Sequence, residues 1–415
     1  MRALIALLAG LAGIAVCQAR IITVDDDGPA EFSTIQAAID DSNDGDAVVV
    51  ADGTYTGDGN RDIDFHGKAI TVKSQNGPED CIIDCNGMPS EPHRGFCFHT
   101  GEGPDSVLSG VTVTKGYAVE GGGIYCNRGS PSIENCIIAR NQAIGAGGIS
   151  WYVNSPQEAA LSRCVVVDNR ADYVGGIWID LYRFTSLTVC NCLVVGNMAV
   201  YTDGGVGASA WGGVLTFEAC TFADNSAAES GGGLTCYEGD FVLRNCIVWG
   251  NTAAIGPEIM TYDCHCLPPC TVVDIYYCDL EGGRAGVHGD IRCGSGIFFH
   301  QGNIDADPCF ADPCNGDYHL KSQGGRYDPT EGLWVMDEVT SLCIDAGDPM
   351  TPIGLEPFPN GGRINIGAYG GTSKASKSYF GETVCETILA GDVNGDCKVN
   401  YIDFSLMARH WMEEH

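Results

Sequence analysis

Between residues 133 and 251 the chain writes one short phrase five times: IENCIIARN, LSRCVVVDN, VCNCLVVGN, FEACTFADN and LRNCIVWGN. The repeated cysteines are Cys136, Cys164, Cys192, Cys220 and Cys246, spaced by 28, 28, 28 and 26 residues. Asn141, Asn169, Asn197, Asn225 and Asn251 keep the same intervals. A glycine pair followed by an aliphatic residue lies between copies, at Gly148-Ile149, Gly176-Ile177, Gly205-Val206 and Gly233-Leu234, with an earlier instance at Gly123-Ile124. A fixed period of this length means stacked units. Apolar residues alternate over short runs broken by Gly, Asn and Asp, which is strand patterning, and no run inside the unit has helical length and period.

A chain that returns one strand spacing higher after each repeat builds a parallel β-helix, with about 4.8 Å of rise per coil. The stacking accounts for each marker. The cysteine, the residue three before it and the residue two after it are apolar in every copy, so they point inward onto their equivalents. The asparagine falls where the chain turns, and amides stacked there bond one another along the axis. The glycine pair marks a bend whose backbone conformation or close coil approach excludes a Cβ.

Composition narrows the function. Of 415 residues 57 are Gly and only 18% are charged, and the net charge is −32. Such a surface repels nucleic acid and anionic lipid, and polyanionic sugars as well unless cations bridge them. Residues 1–19 have the form of a signal peptide: Arg2, an apolar run from Ala3 to Val16, then Cys17-Gln18-Ala19. That run is too short to span a bilayer, and no later stretch is long enough, so the expectation is export without a membrane span. Exported cysteines pair by default. Cys81/Cys85, Cys264/Cys266/Cys270 and Cys309/Cys314 are expected to do so, whereas the five ladder cysteines read as small buried apolar residues with free thiols.

At the amino end, Ile21–Val24 reads as a strand and Ser33–Asp41 as a short helix, with Ser33 at its N-cap and Ile35, Ala38 and Ile39 on its apolar face. This helix caps the first coil, which is otherwise an open sheet edge. The stretches STIQAAID, GDAVVVADGTY, GKAITVKSQNG and CIIDCNG resemble the N-terminal coils of pectin-lyase-like right-handed β-helix proteins secreted by bacteria. ADPCFADPCNGDYHLKSQ, SLCIDAGDP and INIGAYGGT resemble the closing coils of one such subfamily. The pair FADN and GGGL also resembles the repeats of polymorphic outer-membrane adhesins. Both resemblances imply a β-helix; the first implies polysaccharide breakdown and the second a non-catalytic surface or adhesion protein.

The tail GDVNGDCKVNYIDFSLMARHWM carries a calcium-loop pattern. Asp392, Asn394, Asp396, Lys398, Asn400 and Asp403 occupy places 1, 3, 5, 7, 9 and 12. Ca²⁺ takes six or seven oxygens, supplied here by side chains at 1, 3, 5 and 12, the Lys398 carbonyl at 7, and Asn400 through water. A helix follows with Phe404, Met407, Ala408 and Trp411 on one face. The segment resembles one half of a type I dockerin, which implies a cohesin-like partner. It departs from that pattern in having one such segment rather than two and Cys397 where the loop has Gly.

The expected architecture is thus all-β: a right-handed parallel β-helix solenoid with an N-terminal capping helix and a small C-terminal calcium-loop/helix module. Its divisions are a signal peptide over 1–19, the β-helix over 20–372 with its repeat core at 108–256, a linker over 373–388 and the dockerin-like segment over 389–415. No complete catalytic signature appears. NTA at Asn251–Ala253 lacks an acid, Gly286-Val287-His288-Gly289 has no basic partner motif, and Asp168 and Asp224 read as solvated turn residues. The strand after the glycine pairs is more informative. Alternation puts Tyr125, Tyr152, Trp178, Asp180 and Tyr237 outward on one sheet, a candidate platform for polysaccharide, since sugar rings have apolar faces and polar edges.

Overall fold

A computed structural model describes residues 19–153, 159–182, 185–262, 270–289, 296–381, 391, 393 and 398–413. The expected export segment up to residue 18, the Cys264-His265-Cys266 stretch, residues 382–388 of the expected linker and the expected calcium ligands Asp392, Asn394 and Asp396 lie outside them.

The repeats coil into a parallel β-helix. One coil runs through Ile124–Asn127, Ser132–Glu134, Ile137–Ala139 and Gln142–Ala143, and these four faces recur on the next coil as Ile149–Val153, Ala159–Ser162, Val165–Val167 and Arg170–Ala171. The third face is a nine-stranded parallel sheet, which counts the coils directly. Register across the coils is in phase: Ile138 pairs with Val166, Val166 with Val194, Val194 with Phe222 and Phe222 with Val248.

Each coil turns at two left-handed residues. One precedes the cysteine, at Asn135, Arg163, Asn191, Ala219 and Asn245, with φ of 49°, 53°, 51°, 50° and 55°. The other lies four residues after it, at Arg140, Asp168, Gly196, Asp224 and Gly250. Asn, Asp and Gly reach this conformation at least cost, which explains why short polar residues punctuate the repeat. Asp168 and Asp224 are accordingly corner residues.

Inside the coils the apolar columns form as the alternation requires. Ile133, Leu161, Val189, Phe217 and Leu243 are fully buried, as are Ile149, Ile177, Val206 and Leu234. Each such side chain is worth about 1.5–3 kcal/mol of transfer free energy. The thiols stack too, and each donates to a carbonyl of the preceding coil, Cys192 to Leu161 at 3.6 Å and Cys220 to Val189 at 3.3 Å. Cys278 extends the column by a sixth member, bonded to the Cys246 N–H at 3.4 Å.

The asparagines make a continuous ladder. Nδ2 of Asn141, Asn169, Asn197 and Asn225 each donates to Oδ1 of the next, at 3.0, 3.0, 2.9 and 3.0 Å. The same Oδ1 atoms accept the backbone N–H of the preceding asparagine, at 2.9–3.0 Å. The last rung ends on Glu258, which accepts from Asn251 N and Nδ2 at 3.1 and 2.7 Å. Glu258 is buried, and burial together with Glu281 pushes its carboxyl up to about 8.

The glycine pairs are places of close approach. A Cβ at Gly148 would sit 2.6 Å from the Gly176 carbonyl oxygen and 3.0 Å from Val166. No rearrangement of a flexible side chain removes the first contact.

The amino-terminal helix covers the first coil but differs in its cap. It spans Ile35–Asp41, begins after Thr34 rather than Ser33, and neither hydroxyl caps it. Asn60, from the following coil, accepts the Ile35 N–H at 3.0 Å instead. Ile35, Ala38 and Ile39 are buried as the pattern requires.

The expected disulfides are absent among the described residues. Cys81, Cys85, Cys309 and Cys314 carry free thiols. Cys81 and Cys85 both point inward along one extended run, which places their Cα atoms about 13 Å apart, beyond bridging distance. Cys309 lies at the base of a hairpin and Cys314 at its tip. After the last coil the chain doubles back onto the third face. Tyr318 donates to Asp224 at 2.7 Å, and Asn191 Nδ2 donates to the Ala368 and Gly370 carbonyls at 3.1 and 2.7 Å.

Among the described residues no helix is long and apolar enough to cross a membrane.

Candidate functional site

The outer side of the first face has the alternation expected of it. Tyr125, Ser150, Trp178, Gly207 and Thr235 form one outward column. Tyr152, Asp180, Ser209 and Tyr237 form the next. Large rings therefore alternate with small residues along the axis, and the small residues leave room for the rings to lie over them.

A cavity of ≈ 360 Å³ opens here, walled chiefly by Glu120, Tyr152, Tyr173, Trp178, Asp203 and Tyr237. Trp178 and Tyr237 have ring centroids 5.7 Å apart at 59°. Tyr262 stacks behind Tyr237 at 5.3 Å and 8°, and fixes its plane. Gly207 lies between: a Cβ there would be 2.6 Å from Asp203 Oδ2 and 3.0 Å from the Trp178 ring. Ser150 donates to Glu120 at 3.1 Å on the opposite wall.

Three of the five residues singled out from the sequence, Tyr152, Trp178 and Tyr237, thus share one cavity. Tyr125 is not part of its wall; it packs edge-on against Tyr152 at 6.2 Å, with the Arg94 guanidinium 4.8 Å above its ring. Asp180 also stands apart, half-buried, its carboxyl raised by burial and by Glu238.

Three residues of the wall were not foreseen: Tyr173 and the two acids, Glu120 and Asp203. Glu120 immediately precedes a glycine bend, and Asp203 occupies one. Asp203 is 2% exposed, at a corner where Gly231 and Gly256 take the equivalent left-handed place. It has φ of 60° itself. Its Oδ2 accepts from Tyr237 at 2.9 Å, and its Oδ1 has no hydrogen-bond partner. Burial pushes its carboxyl up to about 7, against the hydrogen bonds that favour ionisation. The readable signal was an acid directly before Gly204-Gly205, where sister coils have Gly, Ala or Val.

Of the calcium pattern, Lys398, Asn400 and Asp403 are described. Asp403 is fully buried and accepts from the backbone N–H of Val393 and of Asn400, both at 2.7 Å. Place 12 of the loop is thereby drawn against places 2 and 9. Asn400 accepts the Ile402 N–H at 2.8 Å, and so caps helix Tyr401–Glu413.

Comparison with known proteins bears on the coils. Residues 32–194 match the family described as right handed beta helix region, and residues 294–347 match the one described as disaggregatase related. The chain is therefore similar to right-handed β-helix proteins over its first coils, in agreement with the handedness expected. Among solved structures it is similar to the crystal structure of pectate lyase Pel9A, at 16% identity and TM-score 0.48, over 85% of this chain and 97% of that one. No curated protein matches it.

Proposed function

We propose that this protein is exported and holds polysaccharide against the first face of its β-helix, with sugar rings entering the cavity between Tyr152, Trp178 and Tyr237. One observation carries this reading: three aromatic side chains converge with two carboxyl groups in a cavity of ≈ 360 Å³ on an otherwise regular sheet. The volume suits a small number of sugar rings, and recognition of a sugar needs flat apolar walls and hydrogen-bonding edges together. A glycan array probed with the native chain and with Trp178→Ala tests it. The native chain is expected to bind a saccharide that the variant releases; equal binding by both refutes the reading.

The tail supplies a second element of the proposal. Asp392, Asn394, Asp396 and Asp403, with the Lys398 carbonyl and Asn400, would hold Ca²⁺, which orders the loop and the start of its helix. Tyr401, Ile402, Phe404 and Met407 on that helix are 88%, 52%, 62% and 44% exposed. Exposed apolar residues in such a run support docking to a protein partner of the cohesin kind. Titration calorimetry of the full chain with Ca²⁺ tests the metal, with Asp392→Ala expected to abolish the heat.

A further inference from the structure

We infer that the aromatic cavity selects an uncharged sugar residue, and that Asp203 grips it by donating a hydrogen bond from its carboxyl group. The inference rests on the saccharide reading above and goes beyond it by naming the ligand's charge class and the residue that reads it.

The cavity's charge comes first. Its titratable wall groups are Glu120, Asp203 and the phenols of Tyr152, Tyr173 and Tyr237, and among the described residues no Lys, Arg or His lines it. A uronate or sulfated sugar would bring its charge into a partly desolvated cavity that offers no counter-cation among the described wall residues. A neutral sugar presents only hydroxyl and ring oxygens, which both acids can serve.

The Asp203 carboxyl comes second. Oδ2 is engaged by the Tyr237 hydroxyl at 2.9 Å, and Tyr262 stacks on that ring from behind. Oδ1 is buried and makes no direct hydrogen bond of ordinary geometry; the Thr235 hydroxyl, also without one, lies near enough to favour the charged carboxyl, so it is the one protein group that competes for this oxygen. Buried polar atoms in native proteins are nearly always satisfied, so an orphan at a cavity wall marks where a ligand atom belongs. Among the described residues no cation acts on the group. The adjoining Cys236 thiol and Tyr237 phenol, both raised by burial, stay neutral. Burial therefore keeps the acid protonated up to about pH 7. Since Oδ2 already accepts, the proton resides on Oδ1 and is available to a sugar oxygen.

The backbone comes third. Asp203 adopts a left-handed conformation that costs an L residue and that glycine takes freely at Gly231 and Gly256. Gly207 in turn leaves the space between the carboxyl and Trp178 open, since a Cβ there meets both. A buried acid at a left-handed corner where Gly231 and Gly256 stand in the following coils, facing a gap kept by another glycine, is a combination packing alone does not need.

The test uses the full chain in calorimetric titrations at pH 5.5 and 8.5. The probes are uncharged hexose and pentose oligosaccharides, with oligogalacturonate as the charged counterpart. If only the protonated form binds, affinity for the uncharged probe falls about thirtyfold across that interval, because the binding-competent fraction falls by that factor around a midpoint near 7. Asp203→Asn retains a donor and is expected to bind with no such pH dependence. Asp203→Gly restores the corner's usual residue, so it folds, and is expected to lose at least tenfold in affinity at pH 5.5. Tight binding of oligogalacturonate, a flat pH profile in the native chain, or an unchanged slope in Asp203→Asn overturns the inference alone. Undiminished binding by Trp178→Ala, or no binding of any probe, overturns the saccharide reading and this inference with it.

Discussion

Asn197, at the centre of the amide ladder, is the most exacting place to perturb the fold. Its Nδ2 donates to Asn225 Oδ1 and to the Val166 carbonyl, both at 2.9 Å. Its Oδ1 accepts from Asn169 N and Nδ2, both at 3.0 Å. Asn197→Ala removes five hydrogen bonds, since Nδ2 also donates to the Val195 carbonyl at 3.1 Å; with two hydrogens shared among three acceptors this is about four bonds' worth at about 1 kcal/mol net each, and the buried Asn169 N–H left unpaired costs about 1–3 kcal/mol more. The expected loss is therefore about 5–7 kcal/mol, a large share of a typical folding free energy. Asn197→Asp separates charge from shape. It keeps the acceptor but turns a second oxygen toward Asn225 Oδ1 and the Val166 carbonyl. At pH 7.5 that buried charge should make it less stable than Asn197→Ala. At pH 5 the protonated acid again has a donor, and the order should reverse. Guanidinium denaturation of the three proteins at both pH values, followed by circular dichroism, decides the matter. A loss below about 1 kcal/mol in Asn197→Ala, or the same rank order at both pH values, would refute the view that the ladder holds the coils together.

Three further outcomes are expected. Glu258 ends the ladder with its carboxyl raised from 4.5 to about 8, so the folded state binds a proton that the unfolded state has released between those values. Stability should therefore fall by a few kcal/mol as pH rises from about 4.5 to 8, and Glu258→Gln should flatten that slope in pH-dependent thermal melts. Gly148→Ala should destabilise by about 2–4 kcal/mol, because its Cβ meets a carbonyl of the next coil, while Gly57→Ala, with no atom within 4 Å, should cost only the strain of a left-handed alanine, about 1 kcal/mol; paired denaturation curves test the contrast. The ladder thiols Cys136, Cys164, Cys192, Cys220 and Cys246 should resist a thiol-specific reagent in the native state and react only on unfolding, because all five are buried out of its reach.

How much of this was legible in the sequence follows from how local each determinant is. The coil period, the inward columns and the amide ladder all repeat at 26–28 residues, so each coil testifies for its neighbours. The outward places of Trp178, Tyr152 and Tyr237 follow from the same alternation, because a parallel register carries one side chain onto the next. What broke the repeat was harder to read. Glu258 replaces a missing sixth asparagine from seven residues downstream of Asn251, and only folding shows that its carboxylate reaches the ladder. Asn60 caps a helix 25 residues before it, which no local capping pattern encodes. The return of residues 318–370 across the third face depends on contacts such as Tyr318 to Asp224, 94 residues apart, and spacing does not indicate which face such a strap will cover. Asp203 belongs to the same class. In sequence it is one acid among 54 acidic residues; in the coil it is a carboxyl where sister coils have Gly, Ala or Val, turned toward the rings of Trp178 and Tyr237 on two other coils. A periodic fold makes its scaffold predictable by repetition, and for that reason its candidate binding residues are found among the departures from the repeat.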